Sequence, residues 1–399
     1  MSPRRAILCL AVGQTLVWAG TYYLFPALLL RWEAAEGWSK TTLTGGFTAA
    51  LILTALFSPV AGRLIDRGLG PVAMGAAALV ASVAIACLPL APDLTVFVGL
   101  WLIVGVCMSA CLYEPCFAII TRTRGADARR AITLVTLVAG FASTISFPLS
   151  HAVAEIRDWQ AAAVLFGALT AFVAAPLLFF GANSLERRHR SDEAERRAAP
   201  DFQEAAARPV REVLRGPTFI LLALAFTFLS INHAVLINHL LPIMDDRGIP
   251  EATAILVASL MGPMQVAGRI VMMLIERRAS NHAITSYCFG ALVISAVCLF
   301  TASWWPLLVF GFVFLQGSGI GISSIMKPVA IRELLGQANF GAISGTMALM
   351  TMAGFAFSPF LGSLLWEAGG YDLAILVVTA MALIGLVGYW TATRTASSP

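Results

Sequence analysis

The chain has 399 residues, 59% of them hydrophobic and only 12% charged, with a formal net charge of +4 and a mean hydropathy of +0.83. That composition excludes a water-soluble surface and places the chain among membrane proteins. The 26 basic residues lie in short clusters between apolar stretches, which argues against nucleic acid as a partner, and seven cysteines, an odd number set inside apolar segments, exclude a disulfide framework.

A hydrocarbon core about 30 Å thick takes roughly 20 apolar residues per helix, and twelve such runs follow one another. The first, 6–30, stands behind Arg4 and Arg5 as a signal peptide would, but it is too long and has no small-residue cleavage site, so it reads as an uncleaved span. The next five fall near 41–62, 71–91, 94–120, 131–153 and 159–181. A polar stretch rich in Glu and Arg, from Asn183 to Arg215, then divides the chain and reads as a solvated linker. Six more runs follow near 217–244, 252–275, 283–303, 305–326, 341–366 and 372–393.

Lys and Arg divide 22 to 4 between the two alternating sides. Cytoplasmic loops retain positive charge during insertion, so both termini are expected in the cytoplasm, and the number of spans is even. The halves echo one another. Phe25-Pro26 matches Leu241-Pro242, Ser58-Pro59 matches Gly262-Pro263, Glu114-Pro115 matches Lys327-Pro328, and Pro148 matches Pro359, at offsets of 216, 204, 213 and 211 residues. A near-constant offset is what a duplicated bundle leaves. The expected fold is an all-α integral membrane protein, with twelve transmembrane helices in two pseudo-symmetric six-helix bundles, 1–182 and 217–399, joined by a cytoplasmic linker at 183–216.

Between the second and third runs stands Gly62-Arg63-Leu64-Ile65-Asp66-Arg67-Gly68. A short reversal needs glycine at positive φ, and a carboxylate there can meet a neighbouring helix end or a basic residue. The motif resembles the signature of the major facilitator superfamily, in which this loop latches the two halves in one conformation. The resemblance assigns the latch to Gly62, Arg63, Asp66, Arg67 and Gly68. Leu69, Gly70 and Pro71 stand where the family usually has further basic residues, and the second copy is degenerate, with Gly268-Arg269 followed only later by Glu276-Arg277-Arg278. Tyr113-Glu114-Pro115-Cys116-Phe117-Ala118-Ile119-Ile120, with Gly140-Phe141-Ala142-Ser143-Thr144, is similar to bacterial subgroups near the monocarboxylate-porter-like members, which include vitamin importers and arsenite or drug exporters. The resemblance implies secondary active transport of a small-molecule substrate across a bacterial inner membrane by alternating access, with protons as the expected partner, a monomeric protein and no cofactor.

Charged side chains inside a bilayer are expensive, about 2.5 to 3.5 kcal/mol at a helix centre on insertion scales. Glu114, beside the helix-kinking Pro115, is therefore the leading candidate for a proton carrier or gate, with a structural ion pair to Arg122 or Lys327 as the alternative. Lys327, at the equivalent place in the tenth span, reads as an attractor of anions or as a snorkelling lysine. In the first span Gln14, Trp18 and Thr21 share a face, with Tyr22 beside them, and the seventh span presents Asn232 and His233. Aromatic faces with amide and imidazole groups suit a planar polar solute, riboflavin-like or a carboxylate. Cys107 and Cys111 share a face with Glu114, which keeps a metalloid exporter open as a rival reading. A non-transporting sensor on the same fold is the more remote alternative. No lysine follows a glycine, which excludes a phosphate-binding loop, and there is no HExxH motif or nucleophile elbow, so no enzyme is expected.

Overall fold

A computed structural model describes residues 1–197, 209–275 and 278–396. Among them all regular structure is helical. Ten helices are long and apolar enough to cross a membrane. One of these, Phe340–Ala396, is interrupted by non-helical backbone at Gly369 and Gly370 and supplies two spans. The 17-residue apolar helix Gly70–Ala86 is the third span, so the twelve expected segments are all helical.

Proline explains several of the departures from the expected boundaries. A proline removes one i→i−4 hydrogen bond, and its ring presses on the carbonyl four residues back. Pro115 therefore disturbs Cys111, and the fourth span breaks at Leu112 (φ −85°, ψ −157°) into Leu94–Cys111 and Tyr113–Arg124. Pro242 disturbs Asn238, where the seventh span ends before a short helix, Leu240–Asp246, resumes. Pro26 disturbs Tyr22, inside a π-helical turn at Ala19–Tyr23. The third span, expected to reach residue 91, stops at Ala86 ahead of Pro89. The tenth span, expected at 305–326, instead starts at Leu308 and runs on to Leu335, so Lys327 lies inside it. The sixth-span helix continues to Arg197, well into the stretch read as linker, and keeps Glu186 at 2% exposure. Of the second signature copy, Glu276 and Arg277 lie outside the described residues.

The chain forms two compact units, one of Met1–Ala207 with Ala338–Leu349, the other of Arg208–Gln337 with Met350–Pro399. In the first, Trp32, Trp101 and Phe97 are fully buried, and Phe25 stacks on Phe47 at 4.2 Å and meets Trp101 edge-on at 5.0 Å. Such pairs add about 0.5–1.5 kcal/mol each beyond area burial. Small residues let the helices touch. A Cβ on Gly105 would lie 2.3 Å from Ala50 O, and Thr54 Oγ1 donates to Gly105 O at 2.7 Å across the same seam. The Gly105→Ala variant is accordingly expected to lose about 1–3 kcal/mol, the usual cost of overpacking, seen as a lower melting temperature of the purified protein.

Candidate functional site

Pro115 leaves the carbonyl of Cys111 without its normal helical donor. Gln14, fully buried on the first span, supplies it: Nε2 donates to Cys111 O at 2.8 Å and to Leu112 O at 3.3 Å. The side chain thus clips the first span to the break in the fourth. Its other end is unmet, because Oε1 is buried and has no partner among the described residues. One turn on, Trp18 Nε1 is likewise buried without a partner. The indole packs 4.7 Å from the Tyr113 ring and 5.2 Å from that of Tyr22. Thr21 is fully buried, and its hydroxyl donates to Val17 O at 2.6 Å, so its polar group is used within its own helix. Replacing Gln14 by Leu strands the Cys111 carbonyl, whereas Leu112 O keeps its bond from Cys116 N at 3.4 Å, and an unsatisfied buried group costs about 1–3 kcal/mol. A Gln14→Leu protein is expected to melt earlier by a margin that Thr21→Val does not match.

Glu114 sits in the first turn of Tyr113–Arg124, where the helix N-terminus favours a carboxylate. It is half-buried and lines a crevice with Ser58, Ser109 and Ser344 whose open volume, about 10 Å³, is room for about one water. Ten residues separate it from the end of the helix at Arg124, about 15 Å at 1.5 Å per residue. Cys107 and Cys111 are buried free thiols, and no group of three or more His, Cys, Asp or Glu able to hold a metal occurs among the described residues.

The signature loop organises a second cluster in the same unit. Asp66 accepts from Gly341 N (Oδ1, 2.7 Å) and Ala342 N (Oδ2, 2.7 Å), capping two of the donors that the first turn of the Phe340–Ala396 helix cannot satisfy internally. Gly68 closes the turn at φ +76°. Its carbonyl accepts from Arg190 Nη2 at 2.7 Å, so a guanidinium from the sixth-span helix comes to a loop that lacks the family's trailing basic residues. Arg122 donates to Ile65 O and pairs with Glu186 at 3.2 Å, and Glu186 also holds Arg190 at 3.2 Å. Arg63 and Arg67 are exposed. Arg122 is thereby grouped with the loop and Glu186, a residue that reading the charge run as a linker passed over.

In the second unit Asn232 and His233 come together around Gln316 of the tenth span. Asn232 Nδ2 donates to Val378 O at 3.1 Å, Gln316 Nε2 lies 3.5 Å from Asn232 Oδ1 and 3.2 Å from His233 Nδ1, and Ser295 Oγ donates to Gln316 Oε1. Gln316 was missed in the sequence, although an amide in an apolar run just before Gly317-Ser318-Gly319 was a usable signal. Lys327 is half-buried farther along the same helix.

Several solved structures share this architecture. A bacterial homologue of the iron transporter ferroportin is 14% identical with a TM-score of 0.72, over 98% of this chain and 99% of its own. The fucose:proton symporter of E. coli is 13% identical with a TM-score of 0.72 over all of both chains. A human organic anion transporter is 15% identical with a TM-score of 0.69, over 98% of this chain and 100% of its own. No curated protein matches the chain. The sequence profile of the Major Facilitator Superfamily matches residues 10–326, and the chain, a multi-pass helical membrane protein with that fold, belongs to the Major Facilitator Superfamily.

Proposed function

We propose that the protein is a proton-coupled secondary transporter of a bacterial inner membrane that moves a small planar or polar organic solute, a riboflavin-like vitamin or a carboxylate metabolite, by alternating access. The observation that carries this reading is the pair of unmet polar atoms on the first span. Gln14 Oε1 is an acceptor and Trp18 Nε1 a donor, both buried, one turn apart and beside the aromatic rings of Tyr22 and Tyr113. Buried polar groups are rarely left without partners, and such exceptions call for a ligand or water. A flat ring bearing its own donors and acceptors supplies both stacking and hydrogen bonds. Glu114 carries the coupling proton in this reading; in the second unit His233 is the solute contact and Lys327 favours an anionic solute, while Asn232, expected as a contact, is fully buried with both ends of its amide engaged and so stands behind His233. Asp66 and its loop form the latch.

The protein works as a monomer of two six-helix bundles, 1–182 and 217–399, with the 183–216 linker and both termini on the cytoplasmic side, a topology that the 22 to 4 division of the basic residues along the sequence supports. The test is flux into liposomes under an imposed pH gradient, with a panel of riboflavin, small carboxylates and arsenite. Gradient-driven movement of one organic solute, weakened by Trp18→Ala, is the expected result. Movement of arsenite alone, lost in Cys111→Ala, would replace the reading with metalloid efflux, and no flux of any solute would replace it with a sensor.

A further inference from the structure

The second unit contains a chain of amides whose orientations fix one another. Asn232 is fully buried, and its Nδ2 faces Val378 O at 3.1 Å. A backbone carbonyl can only accept, so the NH₂ end of Asn232 belongs there and its Oδ1 is left facing Gln316. Gln316 is also fully buried, and it presents one end of its amide to Asn232 Oδ1 at 3.5 Å and to His233 Nδ1 at 3.2 Å. Turned round, that amide would set two carbonyl oxygens against each other with no proton between them. The NH₂ end therefore faces Asn232 and His233, and Oε1 faces the hydroxyl of Ser295, whose one proton is shared between Oε1 and Leu292 O.

One consequence concerns the imidazole. With an N–H aimed at it, His233 Nδ1 is the lone-pair nitrogen, and the ring proton sits on Nε2. His233 is half-buried, and Nε2 has no hydrogen-bond partner among the described residues. We infer that Gln316 is a positioning residue that holds His233 in the Nε2–H tautomer, so that the seventh span offers a fixed N–H donor to a carbonyl or carboxylate oxygen of the solute. The solute contact rests on the proposed transport reading; the tautomer does not. The chain Val378, Asn232, Gln316, Ser295 also ties the twelfth, seventh, tenth and ninth spans to that one ring, so its orientation is set by four helices of the unit rather than by its own rotamer alone.

The experiment is ¹⁵N NMR of ring-labelled histidine in the full-length protein in nanodiscs at neutral pH, with the His233 signals assigned by loss in His233→Asn. Wild type is expected to show the Nε2–H pattern. Gln316→Glu places an acceptor oxygen where the amide NH₂ stood and should move the ring proton to Nδ1, while Gln316→Leu removes the donor and should give a mixture of tautomers. The signals of the other four histidines must stay in place in each variant, which separates a tautomer change from misfolding. A wild-type Nδ1–H pattern, or a His233 pattern indifferent to Gln316→Glu, would overturn the inference. Titration with riboflavin and with pyruvate reads the contact. A shift of the Nε2 signal by one of them, with its half-saturating concentration raised at least about tenfold in Gln316→Glu, supports the fixed donor. No shift with either solute refutes the contact even if the tautomer is as stated, and absence of flux in the liposome panel would sink the transport reading without touching the tautomer result.

Discussion

Glu114→Gln is expected to abolish gradient-driven accumulation of the solute while leaving its equilibrium exchange across the membrane intact. Glutamine keeps the shape and hydrogen-bonding capacity of the side chain but cannot carry a proton. One proton moving down a gradient of about one pH unit supplies about 1.4 kcal/mol, enough for about tenfold accumulation of a co-transported solute. The variant should therefore level off near unit accumulation where wild type reaches about ten. The location supports this choice of residue. Glu114 stands at the N-terminal turn created by the Pro115 break, in a crevice with room for about one water, and a carboxylate needs such access to exchange protons. Counterflow of labelled solute with no gradient is the control that separates lost coupling from lost binding. Full accumulation by Glu114→Gln would move the coupling site to another group.

The fold was legible because its cause is local. Bilayer thickness sets the length of an apolar run, and twelve runs with repeated prolines at near-constant offsets describe a duplicated helical bundle without reference to any contact. Pro59, Pro148, Pro263, Pro328 and Pro359 do lie inside helices of the two halves. Hydropathy was a poor guide to helix ends. The tenth span continues past Lys327 to Gly336 at φ +88°, because backbone geometry and not polarity terminates it. The break at Leu112 was half legible: Pro115 foretold a kink, but not that Gln14 would fill the vacated bond. Side-chain partners across helices depend on rotation and depth, which a single sequence does not encode. Gln14 read as a solute contact spends its amide N–H groups on backbone carbonyls, and Gln316, unread, holds the polar chain of the second unit together. Glu186 was misjudged for the same reason. In the sequence it opens a run of charges, and only the continuation of the sixth-span helix shows that it turns inward.

That inward carboxylate gives the largest expected effect on stability. Glu186 has 3% of its side chain exposed and pairs with Arg122, itself 19% exposed, and with Arg190 at 58%. Removing one partner of a buried pair leaves the other charge uncompensated, typically at about 3–5 kcal/mol, and the residual access of Arg122 to water points to the lower end. Glu186→Ala is expected to lower the melting temperature sharply in detergent and to reduce the yield of folded protein. Arg190→Ala removes only a mostly exposed partner and should cost less than about 1 kcal/mol. The double change Glu186→Ala with Arg122→Leu should recover part of the loss, since it takes away the stranded charge, although the bond to Ile65 O goes with it. A Glu186→Ala protein as stable as Arg190→Ala would show that water reaches Arg122 freely and that the cluster behind the signature loop is a surface network. The expected order, with Glu186 far above Arg190, would instead make Glu186 the anchor that sets the Ile65 and Gly68 carbonyls, and through that turn the Asp66 carboxylate, against the helix end at Gly341 and Ala342.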